Sequence, residues 1–239
     1  MSDYNVNEFN IVDGVLVKYT GQEESPVIPD CVCSLGKGAF RYNDSIRSIV
    51  IPPGVVEIGA SCFASCRSLE KVIIPEGVIT IPDSAFSGCQ SLVYVMIPGS
   101  VKRIESFAFH NCTSLETLTL PDRLEMIFSS AFSSCRALRE ISIPDSVRLI
   151  LDRAFAHCES LEKVRLPLGI DSIAEETFDM CSSLTEIAIP SGVKRIEQRA
   201  FFYCRALERV QLSAGLEFIE SFAFSGRSEE RRVGKECRS

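Results

Sequence analysis

Histidine occurs only twice in the 239 residues, and no stretch approaches ~18 consecutive apolar residues, the least that crosses a bilayer as a helix. Basic charge is also short: 25 Lys and Arg stand against 32 Asp and Glu, for a net charge of −7. That balance disfavours a nucleic-acid backbone or an anionic membrane as the main partner. The opening MSDYNVNEFNIVDG has neither the basic start nor the apolar core of a secretory signal. The expected location is therefore cytoplasmic, with the cell surface or secretion open if the natural gene is longer.

Catalytic and metal-binding patterns are equally scarce. LGKGAF, residues 35–40, brings glycine near lysine without the spacing or hydroxyl residue of a phosphate loop. Cys31-x-Cys33 and Cys62-xxx-Cys66 lack a second pair at zinc spacing. The Asn43 and Asn111 sequons have no signal peptide to support them. No Ser-His-Asp or Cys-His arrangement is present, so no cofactor, metal or catalytic residue is assigned and the chain reads as a non-enzyme.

What the sequence does have is a beat. Pro29, Pro52, Pro75, Pro98, Pro121, Pro144, Pro167 and Pro190 are spaced 23 residues apart without an insertion, and Ser213 takes the ninth place. Eleven residues after each comes phenylalanine: Phe40, Phe63, Phe86, Phe109, Phe132, Phe155, Phe178, Phe201 and Phe224. Three further on stand Cys66, Cys89, Cys112, Cys135, Cys158, Cys181 and Cys204, with Asn43 in the first repeat, and then Ile46 or a leucine. A fixed period of this length marks a stacked repeat, whose coils bury a core only against one another.

Within one repeat, Leu69-x-x-Val72-x-Ile74 ends in the alternation of a strand with one buried face, and Pro75 stops it. Glu76-Gly77 reads as a tight turn, and Val78-x-x-Ile81 as a second short extended segment. Asp83-Ser-Ala-Phe-Ser-Gly-Cys89 reads as one helical turn, capped by Asp83 or Ser84, with Ala85, Phe86 and Cys89 inward. Walls of unequal thickness make the predicted fold a curved parallel β-solenoid with the strand wall concave. Seven cysteines in one interior column form a buried thiol ladder rather than a disulfide framework. At ~4.8 Å per coil, His110 and His157 lie about 10 Å apart on the third wall, too far to share a metal, and are read as exposed.

The pattern L-x-x-V-x-I-P-x-G-V-x-x-I-x-x-x-A-F-x-x-C-x-S-L resembles the BspA-like branch of the leucine-rich repeat family over residues 29–226. The opening DGVLVKYTG is similar to the start such proteins often carry. Gly77, Ser100 and Arg123 stand where a standard leucine-rich repeat has its asparagine ladder, and the thiol ladder is this branch's substitute. The resemblance implies protein-to-protein or cell-surface interaction and transfers no catalytic residue.

Three segments follow. Residues 1–28 form an N-terminal capping segment, with Asp13-Gly14 marking a β-hairpin over 9–19. Residues 29–226 hold eight full repeats and a truncated ninth. Residues 227–239, RSEERRVGKECRS, leave the register abruptly, resemble a translated sequencing adapter, and are read as a non-native or disordered tail. The outward strand columns run Ser48, Lys71, Tyr94, Thr117, Glu140, Lys163, Glu186, Arg209 and Val50, Ile73, Met96, Thr119, Ser142, Arg165, Ala188, Gln211. Their apolar end nominates Val50, Ile73, Tyr94 and Met96, flanked by Lys71 and Thr117, as the partner-binding patch. Strand propensity at exposed positions, or cover from a missing segment, is the competing explanation. The expected function is a non-catalytic scaffold binding an unknown protein ligand, as a monomer with an exposed C-terminal edge. The alternative is a fragment of a bacterial or protozoan surface adhesin binding host proteins or glycans.

Overall fold

Alternation and proline together decide the first wall. Val/Ile-x-Ile/Leu stretches yield three-residue strands that stop just before the proline, or before Ser213 in the last: Ser48–Val50, Lys71–Ile73, Tyr94–Met96, Glu140–Ser142, Lys163–Arg165, Glu186–Ala188 and Arg209–Gln211. The chain then turns, with the amide three residues along bonding back to the proline carbonyl, as in Val55 to Pro52 and Val147 to Pro144, both 3.0 Å. A second wall of two-residue strands follows, from Ser34–Leu35 through Thr80–Ile81 and Met126–Ile127 to Phe218–Ile219. Both walls pair in parallel and in step, Val50 beside Ile73 beside Met96 on the first and Ile81 beside Ile104 on the second. The computed structural model describes residues 8–227. They form a parallel β-solenoid of about nine turns of ~23 residues, of the leucine-rich-repeat type.

The third wall is not helical, which corrects the expected helical turn. In residues 84–89, alternate amides bond three residues back and to the next coil. Ala85, Ser87 and Cys89 reach Pro82, Ser84 and Phe86, while Ser84, Phe86 and Gly88 reach Ser106, Ala108 and His110. A helix would send every amide four residues back along its own axis. Two residues per coil, such as Ser84 (φ 55°) and Gly88 (φ 77°) or Arg153 (φ 58°) and His157 (φ 60°), adopt the left-handed conformation that breaks a helix and re-aims the chain. Half of this wall's amides are thereby spent on stacking.

Between the walls lies one continuous core. The phenylalanine rings from Phe40 to Phe224 stack with centroids 4.8–5.6 Å apart and planes within 11°. Those from Phe40 to Phe201 are fully buried, each stabilising by roughly 1.5–3 kcal/mol. At the N-terminal end the strands Phe9–Val12 and Val15–Tyr19 form an antiparallel hairpin through Asp13 (φ 49°) and Gly14 (φ 76°), the signs a type I′ turn requires. Val15–Tyr19 also pairs in parallel with Ser34–Leu35, and Phe9 and Tyr19 continue the ring stack beyond Phe40. The hairpin thus covers the first coil. Of the tail expected at 227–239, residues 228–239 lie outside the described residues.

Candidate functional site: the strand face

The strand wall presents two outward columns because its inward residues, Val72 and Ile74 in one coil, are fully used by the core. Pairing sets Lys71 beside Tyr94 and Ile73 beside Met96, with Ser48 and Val50 one coil earlier. The Lys71 ammonium lies 5.5 Å from the Tyr94 ring centroid, a cation–π contact across coils. Val50, Tyr94 and Met96 are 55%, 45% and 44% exposed, and Ile73 is half-buried between its column neighbours. Thr117 is exposed one coil further on and bridges to Glu140.

The structure adds residues that sequence reading missed. Val27, 61% exposed, precedes Val50, and Pro26, Pro52 and Pro53 line a groove of about 290 Å³ with them. The signal was present: Val27 stands 23 residues before Val50. The apolar column therefore spans four coils, Val27, Val50, Ile73 and Met96. A larger groove of about 830 Å³ opens in the middle of the wall, among Thr117, Thr119, Glu140, Ser142, Asp145 and Arg165. There the Arg165 guanidinium donates to Asp145 at 2.7 Å and to the Ile143 carbonyl at 3.0 Å. The Leu168 amide and then Arg165 hold the Asp145 carboxyl below its ordinary range.

Among the described residues no three His, Cys, Asp or Glu converge on a metal position. The column thiols donate to the previous coil's phenylalanine carbonyl, Cys89 to Phe63 at 3.1 Å and Cys158 to Phe132 at 3.3 Å. Burial pushes Cys66, Cys135 and Cys204 up to about 12, far from a reactive thiolate. The histidines, read from sequence as exposed, are half-buried instead. Burial lowers His110, while His157 Nε2 stands 3.9 Å from Asp179 Oδ2. No helix among the described residues is long and apolar enough to cross a membrane.

The model of the BspA type leucine-rich repeat region matches residues 18–139 and 102–230, in six copies. The chain belongs to this family. Among solved structures this BspA-type chain is similar to a leucine-rich repeat protein from Bacteroides ovatus, at 33% identity and a TM-score of 0.63. That match covers 82% of this chain and 45% of the other, so this chain spans less than half of that relative's length. A leucine-rich cell surface protein from Faecalibacterium prausnitzii is 24% identical over 89% of this chain and 87% of its own, with a TM-score of 0.47. The T. pallidum leucine-rich repeat protein is 22% identical over 94% and 88%, with a TM-score of 0.49. No curated protein matches the BspA-type chain.

Proposed function

We propose that this BspA-type chain is a non-catalytic scaffold that binds another protein through the apolar end of its strand face. The single observation behind the reading is the column Val50, Ile73 and Met96, paired in step and extended by Val27 in the groove it shares with Val50, with Tyr94 and Lys71 alongside. Three of those four side chains are 44–61% exposed. Exposed apolar and aromatic side chains gathered on one rigid face are what a protein interface desolvates, and the polar residues beyond Thr117 supply its rim. Lys71 over Tyr94 holds the aromatic upright, which lowers the ordering cost on association.

The test is Ile73→Glu combined with Met96→Glu in affinity capture from the source organism. The captured protein is identified and its binding remeasured with purified components. Met96 is exposed and Ile73 half-buried on the outer face, so circular dichroism should match wild type with at most a modest fall in melting temperature. Affinity should fall by at least about 100-fold, the effect of burying two unpaired carboxylates in an apolar contact. Undiminished binding by the correctly folded double variant refutes the patch.

A further inference from the structure

Ten cysteines fall among the described residues, and eight are buried. The remaining two, Cys31 and Cys33, are exposed, stand two residues apart, and flank Val32, which is fully buried. Both thiols therefore reach solvent from one short segment, Cys31 from a turn and Cys33 just before the strand Ser34–Leu35. Packing does not account for them. The position of Cys31 is filled in later coils by Gly54, Gly77 or Ser100, and that of Cys33 by Val56, Ile79 or Lys102.

The segment is held at both ends. The Val32 amide closes a turn onto Pro29 at 3.0 Å, with Cys31 inside it. The Cys33 and Ser34 amides both donate to the Gly14 carbonyl of the hairpin, at 2.8 and 3.3 Å, and Cys33 Sγ lies 3.4 Å from that same oxygen. A Cβ on Gly14 would come within 2.7 Å of Cys33 Sγ, so the hairpin turn fits against the sulfur only as glycine. Asp13 and Asp30, both exposed, adjoin Gly14 and Cys31 in the chain and add negative charge next to the pair.

We propose that Cys31 and Cys33 form a two-sulfur site for a soft monovalent d¹⁰ cation, with Cu(I) as the representative. Two thiolates suffice for such an ion, whereas zinc needs four ligands, and soft sulfur donors select it over harder divalent ions. Binding exchanges two S–H bonds for two S–Cu bonds, with no redox change. Two protons leave to solvent and the site gains a net charge of −1. The buried column cannot compete, because each of its thiols is sealed from solvent.

The experiment titrates full-length protein carrying Cys237→Ser, which removes the remaining thiol, with Cu(I) under anaerobic reducing conditions against the chelator bicinchoninate. One equivalent should be withdrawn from the chelator, with two sulfur scatterers in the X-ray absorption spectrum. Each ion bound should release two protons to solvent, so affinity should rise with pH with a slope of two protons. Cys31→Ser and Cys33→Ser, made singly in that background, should each keep the melting temperature and lose the equivalent. No uptake by the background protein, a slope of one proton, or retention of the ion after both serine changes overturns the assignment.

Discussion

At the scale of the residue, the phenylalanine carbonyl works twice. The Phe86 oxygen accepts the Cys89 amide of its own coil at 3.1 Å and the Cys112 thiol of the next at 3.2 Å. A thiol is a weak donor that packs like a small hydrocarbon, so it adds a bond between coils at little desolvation cost. Asn43 fills the column in the first coil with a stronger donor, its amide reaching the Gly21 carbonyl at 2.8 Å. On the third wall the stitching is ionic. Nearly buried Glu176 accepts from Arg153 at 2.5 Å and Arg199 at 3.4 Å, one coil to either side. Arg153 above all holds the Glu176 carboxyl below its ordinary value of 4.5. A depressed folded-state pKa means that this stabilisation is complete above the unfolded value and is lost as pH falls through the folded one. Glu176→Gln should therefore cost roughly 0.5–1 kcal/mol at neutral pH, since both arginines remain half-exposed. The deficit should shrink as pH falls below about 4.5. Urea titrations of both proteins between pH 3 and 7 measure this, and a deficit independent of pH excludes an ionic role.

The strand ladder shows what a single element decides. Amides before the proline bond to the next coil at Ile51, Ile74, Ile143 and Ile189, at 2.8–3.2 Å. No such bond runs from Ile97, Leu120 or Leu166, so the gap falls at one isoleucine as well as at two leucines. The ladder is interrupted at those coils: residues 117–119 keep only the Thr117–Glu140 bridge, and Lys163–Arg165 shares no sheet with Glu186–Ala188. Grooves of about 830 and 450 Å³ open over the two breaks. A γ-branched side chain suits a pleated wall less well than a β-branched one, which bears on the gaps at Leu120 and Leu166 and leaves that at Ile97 without a side-chain cause. Leu120→Ile should mend the first break and slow hydrogen exchange at amide 120 by about five- to tenfold, the worth of one backbone bond. Unchanged exchange would assign the break to some other cause. The breaks were invisible in the sequence because the same apolar column fills bonded and unbonded coils alike, as Ile74 and Ile97 show. The period made the strand wall, its outward columns and the interior phenylalanines legible, since each depends only on alternation and count. The third wall was misread for a physical reason. Ala85, Phe86 and Cys89 have helical spacing, while the left-handed positions carry residues as unlike as Gly88, Phe107 and Arg153, so no composition announces them.

Across the whole molecule, stability passes only between neighbours. Ion pairs join coils at the same 23-residue offset, Arg47 to Glu24 and Glu70, Lys102 to Glu125 and Arg136 to Glu159, but their partners are about half-exposed or more. Such pairs contribute little each, so the ring stack and the aliphatic columns carry the coupling. A central ring touches one neighbour on each side: Phe132 lies 5.4 Å from Phe109 and 5.3 Å from Phe155. Among the described residues Phe224 stacks on one ring, Phe201 at 5.1 Å, has the Arg227 guanidinium 5.5 Å from its centroid, and is partly buried. Removing the central ring opens a cavity shared by three coils, which cannot collapse without unstacking the walls. Phe132→Ala should cost about 3–5 kcal/mol. It should also divide the solenoid, with exchange protection falling first in the coils around residue 132. Phe224→Ala should cost roughly half as much, because that ring is only partly buried and stacks on a single ring among the described residues. Denaturant melts followed by coil-resolved hydrogen exchange compare the two. Equal losses, or a uniform fall in protection along the chain, would mean that the solenoid unfolds as one block and that coupling extends beyond adjacent coils.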